Sequence, residues 1–265
     1  TGKTISVQKI SDSAAEKLRG ASYMGEGIFS YYENGAYHFM DENGNELGKV
    51  DDADIMMDSY FYDGRCKAYV FDPYTAKYAY GYLDKTGKIA IAAQYSDAYA
   101  FSNGLALAKK GDSFGYIDTA GNVVIPFQYY MATDFHDGYA AVAYYLDGNE
   151  HQKHVEIINT KGETVWESPY ATREIEQNMI AHDPYFSITY LTKVFDGKAV
   201  FWHTEQGVNT TCVLLGTDGS KQELPASMLE DSGVEYVGGD RFWVLKASRP
   251  GLYTTSGEIL LPHQY

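Results

Sequence analysis

The segment FGYIDTAGNVVIPFQY at 114–129 repeats the pattern of YGYLDKTGKIAIAAQY at 80–95, thirty-four residues earlier, with seven of sixteen positions identical. The final segment, PGLYTTSGEILLPHQY at 250–265, fits the same frame. Self-similarity at a fixed period constrains a fold more than any local propensity does. Each unit must bury its apolar face against its neighbours, so the chain is an array of like modules.

Two anchors recur along the array. One is an aromatic followed by glycine and an apolar run: FYDG at 61–64, FSNG at 101–104, FHDG at 135–138 and FDG at 195–197, with MGEG at 24–27 and YVGG at 236–239 as looser versions. The other is a turn that begins with Asp41, Asp84, Asp118, Asn159 or Thr254 and ends three residues later on glycine. With the degenerate member at Gly216, the turn glycines are Gly44, Gly87, Gly121, Gly162, Gly219 and Gly257. They define about six units in a single repeat domain over 1–265. An aspartate at the first turn position can accept from the backbone N–H two residues on, so Asp41, Asp84, Asp118 and Asn159 are read as turn-formers.

Within a unit, GLALAKK, FGYID and NVVIPFQ are short, rich in β-branched and aromatic residues, and bounded by turn signals; they read as three strands. Gly115 sits inside a strand, where glycine marks a close approach, here expected from a neighbouring repeat's aromatic. Tyr95, Ala98 and Phe101, and likewise Tyr129, Ala132 and Phe135, recur every three residues, which reads as a short helical crossing turn. Near the start, SDSAAEKLRG carries Ser13 and Glu16 at capping-box spacing. The expected fold is all-β: about six three-stranded repeats joined by helical crossing turns. Gln8 occupies the phase of Gln94, Gln128 and Gln264, so the chain begins and ends alike. That favours a propeller-like closed ring over an open solenoid or superhelical array. Three strands per unit, where a propeller blade has four, argues against it.

The run aromatic-Gly-Tyr-Ile-Asp-x-x-Gly-x-Val-Val-Ile-Pro-x-Gln-Tyr, followed by Phe-x-x-Gly-Leu-Ala, resembles the bacterial WG repeat. The likeness is good over 80–143 and 250–265 and diluted over 24–66 and 155–246. The Trp-Gly of the family is Tyr80-Gly81, Phe114-Gly115 and Pro250-Gly251 here. The resemblance implies a bacterial β-repeat protein of the cell envelope or of a larger assembly, and it brings no catalytic residues.

The chain carries 21 Lys and Arg against 36 Asp and Glu, a net charge of −15, which disfavours nucleic acid and anionic membranes as partners. No apolar run approaches the ~20 residues of a membrane span. TGKTISVQK lacks the apolar core of a signal peptide, which leaves the compartment open between envelope or extracellular and cytoplasmic. Cys66 and Cys212 read as two buried free thiols. DENGNELGKVDD places Asp41, Asn43, Asn45 and Asp52 at calcium-loop positions, but Glu46 stands where the sharp turn needs glycine. His151 and His154 lie in an acidic, loop-like insertion with no Cys or third His nearby. No metal or cofactor is expected. Insertions between the first and second strands of some units, FDPYTAKYAY, LDGNEHQKH and HTEQGVNTT, and a further one at 167–186, make Tyr74, Tyr170, Tyr185, Trp202 and His203 candidate binding residues. The function expected is a non-catalytic, monomeric scaffold that binds a protein or glycan. A glycoside-cleaving propeller and a structural spacer of a larger surface protein are the alternatives.

Overall fold

In the computed structural model, residues 16, 18–146, 149–167, 194–205, 209–225, 234–246 and 249–263 are described. Strands that follow one another in sequence lie side by side. The first sheet is β1 (Ser22–Tyr23), β2 (Phe29–Glu33), β3 (Ala36–Met40) and β4 (Glu46–Val50). The second is β5 (Ile55–Tyr62), β6 (Arg65–Asp72), β7 (Lys77–Leu83) and β8 (Ile89–Tyr95). The third comprises β9 (Asp97–Ser102), β10 (Leu105–Lys110), β11 (Ser113–Asp118) and β12 (Val123–Tyr129). The fourth has β13 (Met131–Ala132), β14 (Tyr139–Leu146), β15 (Asn149–Asn159) and β16 (Thr164–Glu167). The fifth has β17 (Lys198–Glu205), β18 (Asn209–Gly216) and β19 (Lys221–Glu223). The sixth has β20 (Val234–Tyr236), β21 (Arg241–Lys246), β22 (Arg249–Thr254) and β23 (Ile259–Leu261).

Five of these six antiparallel sheets therefore have four strands among the described residues, not three. The segments expected to form helical turns supply the missing strand. Ala98 and Phe101 are both buried in β9, three residues apart. They face Ala108 and Ala106 across a bulge, so three residues of β9 span two of β10. A bulge adds one residue to the normal period of two, and the result imitates a helical spacing. The objection to a propeller-like unit drawn from strand number is thereby removed. The phase match of Gln8 with Gln264, which favours ring closure, falls on residues outside those described, as does Ser13.

The glycine inside the third strand also has a different cause from the one expected. A Cβ at Gly115 would lie 2.8 Å from the Ile125 carbonyl oxygen and 2.9 Å from the Phe127 nitrogen. At Gly81 the corresponding contacts are 2.5 Å to the Ile91 oxygen and 2.7 Å to the Ala93 nitrogen. The obstacle is the backbone of the adjacent fourth strand, not an aromatic from another repeat. Tyr80 pairs with Tyr95 and Tyr82 with Ile91, so β8 is bulged opposite Gly81. The bulged strand bends over a position where no side chain fits.

The chain divides into two compact units, one of residues 1–111 with 118–122, the other of 112–117 with 123–265. In the first, Ile28, Phe39, Val50, Ile55, Phe61, Cys66, Ala68 and Leu83 form one buried cluster. Phe39 and Phe61 meet edge-on at 5.5 Å. The turn glycines close the packing between successive sheets. Gly87 lies against the backbone of Lys49 and Val50, and Gly121 against the Ile91 side chain. In the second unit Gly162 meets Ile125 in the same way. There Val200, Leu214, Val234, Tyr236, Phe242, Val244 and Tyr253 form a further cluster.

Candidate functional site

The first two strands of a sheet are joined by the anchor that ends in glycine. At Asp63-Gly64 both residues are left-handed, with φ of 48° and 76°. Asn103-Gly104 and Asp137-Gly138 repeat this geometry. Two consecutive positive φ angles match the right-handed twist of the flanking strands and close a two-residue hairpin. Asp and Asn tolerate this conformation better than other residues with a Cβ.

The acids at this position have a second task. The Asp63 carboxylate accepts from the Gly104 N–H at 2.8 Å, and Glu26 accepts from the Gly64 N–H at 3.1 and 3.3 Å. In the second unit Asp137 accepts from the Asp196 N–H at 3.0 Å and Asp196 from the Gly239 N–H at 3.2 Å. Each carboxylate thus clasps the hairpin of the next sheet with a charge-assisted bond. Lys85 adds an ion pair to Glu26 at 2.8 Å. Burial alone would raise the Glu26 carboxyl, but the Lys85 bond and charge, with the N–H groups of Gly64 and Asp63, hold it below its usual value.

Between these hairpins in the first unit opens a cleft of about 900 Å³. Its walls come from β1, β5, β9 and the turns that follow them, and include Tyr23, Glu26, Tyr60, Tyr62, Asp63 and Asn103. The outward row of β5 alternates with buried Phe61, so Tyr60 and Tyr62 are 54% and 44% exposed. Tyr23 is 55% exposed and stands 5.3 Å from Phe29, ring centre to ring centre. Half-exposed rings beside polar groups in a concavity are the usual make-up of a ligand site. Sequence reasoning did not single out these residues. The available signal was the residue before the anchor glycine, Glu, Asp, Asn, Asp and Asp in five units, and the Tyr-Phe-Tyr alternation at 60–62.

Of the residues expected to bind, Tyr74 stands at the tip of the β6–β7 hairpin, 98% exposed, its N–H donated to Asp72. Trp202 and His203 lie in β17, paired in register with Cys212 and Thr211 of β18. Tyr170 and Tyr185 lie outside the described residues. Tyr74 belongs to one compact unit and Trp202 and His203 to the other. The insertion around Tyr74 mostly lengthens β6 and β7, leaving a short turn at 73–76.

The acids at the other turns point into their own backbone. Asp84 accepts from the N–H groups of Thr86 and Lys88, at 2.8 and 3.2 Å. Asp118 accepts from Ala120 and Asn122 at 2.9 and 2.8 Å, and Asn159 from Lys161 and Glu163 at 3.0 Å each. Asp41 does the same with Asn43 and Asn45. Bonds from the Asn122 side chain and turn N–H groups hold the Asp118 carboxyl low. Among the described residues no three His, Cys, Asp or Glu group closely enough to hold a metal. Cys66 is buried and unbridged, and burial pushes its thiol up to about 11. The Cys212 side chain lies outside the description.

The model of the WG containing repeat matches the chain twice, at 80–113 and at 114–144. The resemblance to the WG repeat is thereby supported over these two units. Each matched WG span runs from the third strand of one sheet to the second strand of the next, so the sequence repeat and the sheet are out of phase. A comparison with curated protein sequences found no match. Among solved structures, a eukaryotic initiation factor aligns with 92% of this chain and 65% of its own, at 10% identity and a TM-score of 0.48. Puromycin hydrolase aligns over 91% and 44% of the two chains at 11% identity and 0.47, and the BP39L lectin of Burkholderia pseudomallei over 92% and 82% at 9% and 0.35. At these scores none of the three bears on activity.

Proposed function

We propose that the protein is a non-catalytic β-repeat scaffold that binds a protein or glycan partner, and that it works as a monomer in the envelope or outside a bacterial cell. One observation carries this reading. The acids that face the cleft, Glu26 and Asp63, are engaged in the clasps between hairpins, while the tyrosines beside them remain half exposed. A glycosidase needs one carboxyl held protonated near neutral pH, with a raised pKa. Asp41, Asp84, Asp118, Asp72, Asp218 and Glu26 are all shifted the other way, each by hydrogen bonds that favour the ionised form. Such acids serve structure better than proton transfer.

The test sets retention against turnover. Immobilised protein should retain a protein or glycan from a bacterial envelope extract, and the free protein should release no new reducing ends from that extract. Sustained hydrolysis that survives repurification would replace the scaffold by the glycoside-cleaving alternative.

A further inference from the structure

The clasps also decide what kind of ligand the cleft suits. Glu26 gives both oxygens to the Gly64 N–H and pairs with Lys85, so its charge is already balanced. Asp63 gives an oxygen to the Gly104 N–H. What the remaining walls offer is neutral: the rings and hydroxyls of Tyr23, Tyr60 and Tyr62, with Ser22, Ser102 and the Asn103 amide. A chain of net charge −15 repels an anionic ligand, and a cationic one needs carboxylates that are not already engaged. Neutral polyols meet neither obstacle. Their C–H faces lie on exposed aromatic rings, and their hydroxyls exchange hydrogen bonds with Ser, Asn and Tyr groups. Tyr60 and Tyr62, two apart on one strand, lie on the same face of β5 with their backbone positions about 7 Å apart, so both rings can meet one extended ligand.

We infer that the cleft walled by Tyr23, Tyr60, Tyr62 and Asn103 is a binding site for a neutral oligosaccharide. The inference rests on the binding reading above and narrows it to a ligand class and a place.

Titration calorimetry of the full chain with cellohexaose, laminarihexaose, mannohexaose and chitohexaose tests it, with hexagalacturonate and hexalysine as charged probes. At least one neutral hexasaccharide should bind. The Tyr60→Ala/Tyr62→Ala variant should weaken it about tenfold or more. Both side chains are half exposed, so this variant should keep the wild-type melting profile, which is measured alongside. Tyr60→Phe, which keeps the ring, should retain most of the affinity. Failure of all four neutral sugars to bind overturns the inference, as does binding that ignores the double variant. Hexalysine binding abolished by the double variant would make the cleft a cation site, sinking the saccharide while leaving the scaffold intact. A partner retained equally by wild type and double variant would likewise keep the scaffold and remove the cleft from it.

Discussion

The second and third sheets are near copies in sequence, yet they differ where they meet solvent. Both keep a glycine under the bulged fourth strand, Gly81 and Gly115, and both turn on an aspartate, Asp84 and Asp118. Both send a third-strand tyrosine hydroxyl to the next sheet's first segment: Tyr82 to the Tyr99 carbonyl in β9 at 2.7 Å, Tyr116 to the Thr133 carbonyl just after β13 at 2.8 Å. Between second and third strands they part. β10 and β11 are joined by a tight turn at Gly111-Asp112, whereas β6 and β7 run on and carry a ladder of rings. Tyr69 meets Tyr78 at 5.2 Å and Tyr80 at 5.8 Å, and Phe71 meets Tyr78 at 5.0 Å. The outward row of β5 is exposed as well, while Tyr99 and Asp97 of β9 are half-buried. Positions facing backbone are held to one residue type; positions facing water are free to acquire rings.

If that division is right, the largest effect of substitution belongs to the shared glycines. Gly81→Ala and Gly115→Ala should each cost about 2–3 kcal/mol in denaturant unfolding, since the new methyl meets backbone that cannot rotate away. Gly81→Ala, with the closer obstacle, should cost more. A wild-type midpoint for either would mean that the bulge is not what selects glycine.

Next come the tyrosine hydroxyls. Tyr116→Phe should lose about 1–2 kcal/mol by leaving the Thr133 carbonyl without its donor in a fully buried setting. Tyr82→Phe, whose bond is only partly buried, should lose less. Equal losses would show that the two sheets hold their neighbours alike despite the different surroundings.

A smaller effect separates the clasps by pH. Glu26 titrates below its usual value in the folded protein. Its contribution is therefore present at neutral pH and is lost as acid carries it below the ordinary 4.5 and through its lower folded value. The loss should be under about 1 kcal/mol for so accessible a pair. Hydrogen exchange between pH 6 and 3 should therefore report earlier loosening at the Gly64 amide in the wild type than in Glu26→Gln, which has no charge to lose there, if the clasp is electrostatic. Equal loosening in the two would assign the bond's strength to geometry alone.

Tyr74→Ser should change stability by less than about 0.5 kcal/mol, because the ring touches almost only water. A larger loss would place the outer hairpin among the structural parts of the second sheet and blur its contrast with the third.

The repeat, the strand-forming runs, the turn acids and the all-β class could be read from the residues, because each rests on local chemistry: aspartate accepts from nearby N–H groups, and β-branched and aromatic residues fit a pleated surface. Even the fourth strand left a trace, since Asn103-Gly104 and Asp63-Gly64 are strong hairpin dipeptides. The bulge hid it by spacing Ala98 and Phe101 as a helix would. A periodic sequence looks the same wherever it is cut, so it cannot say which four strands share a sheet. That phase was decided by hydrogen bonding, Ser102 opposite Leu105 across a two-residue turn, which assigns β9 to the strand after it and not to β8. Tertiary structure likewise brought Glu26 to Gly64 and Asp63 to Gly104, contacts 38 and 41 residues apart in the chain. The cleft and its tyrosines exist only because those hairpins are clasped side by side, and no local rule relates residues so far apart.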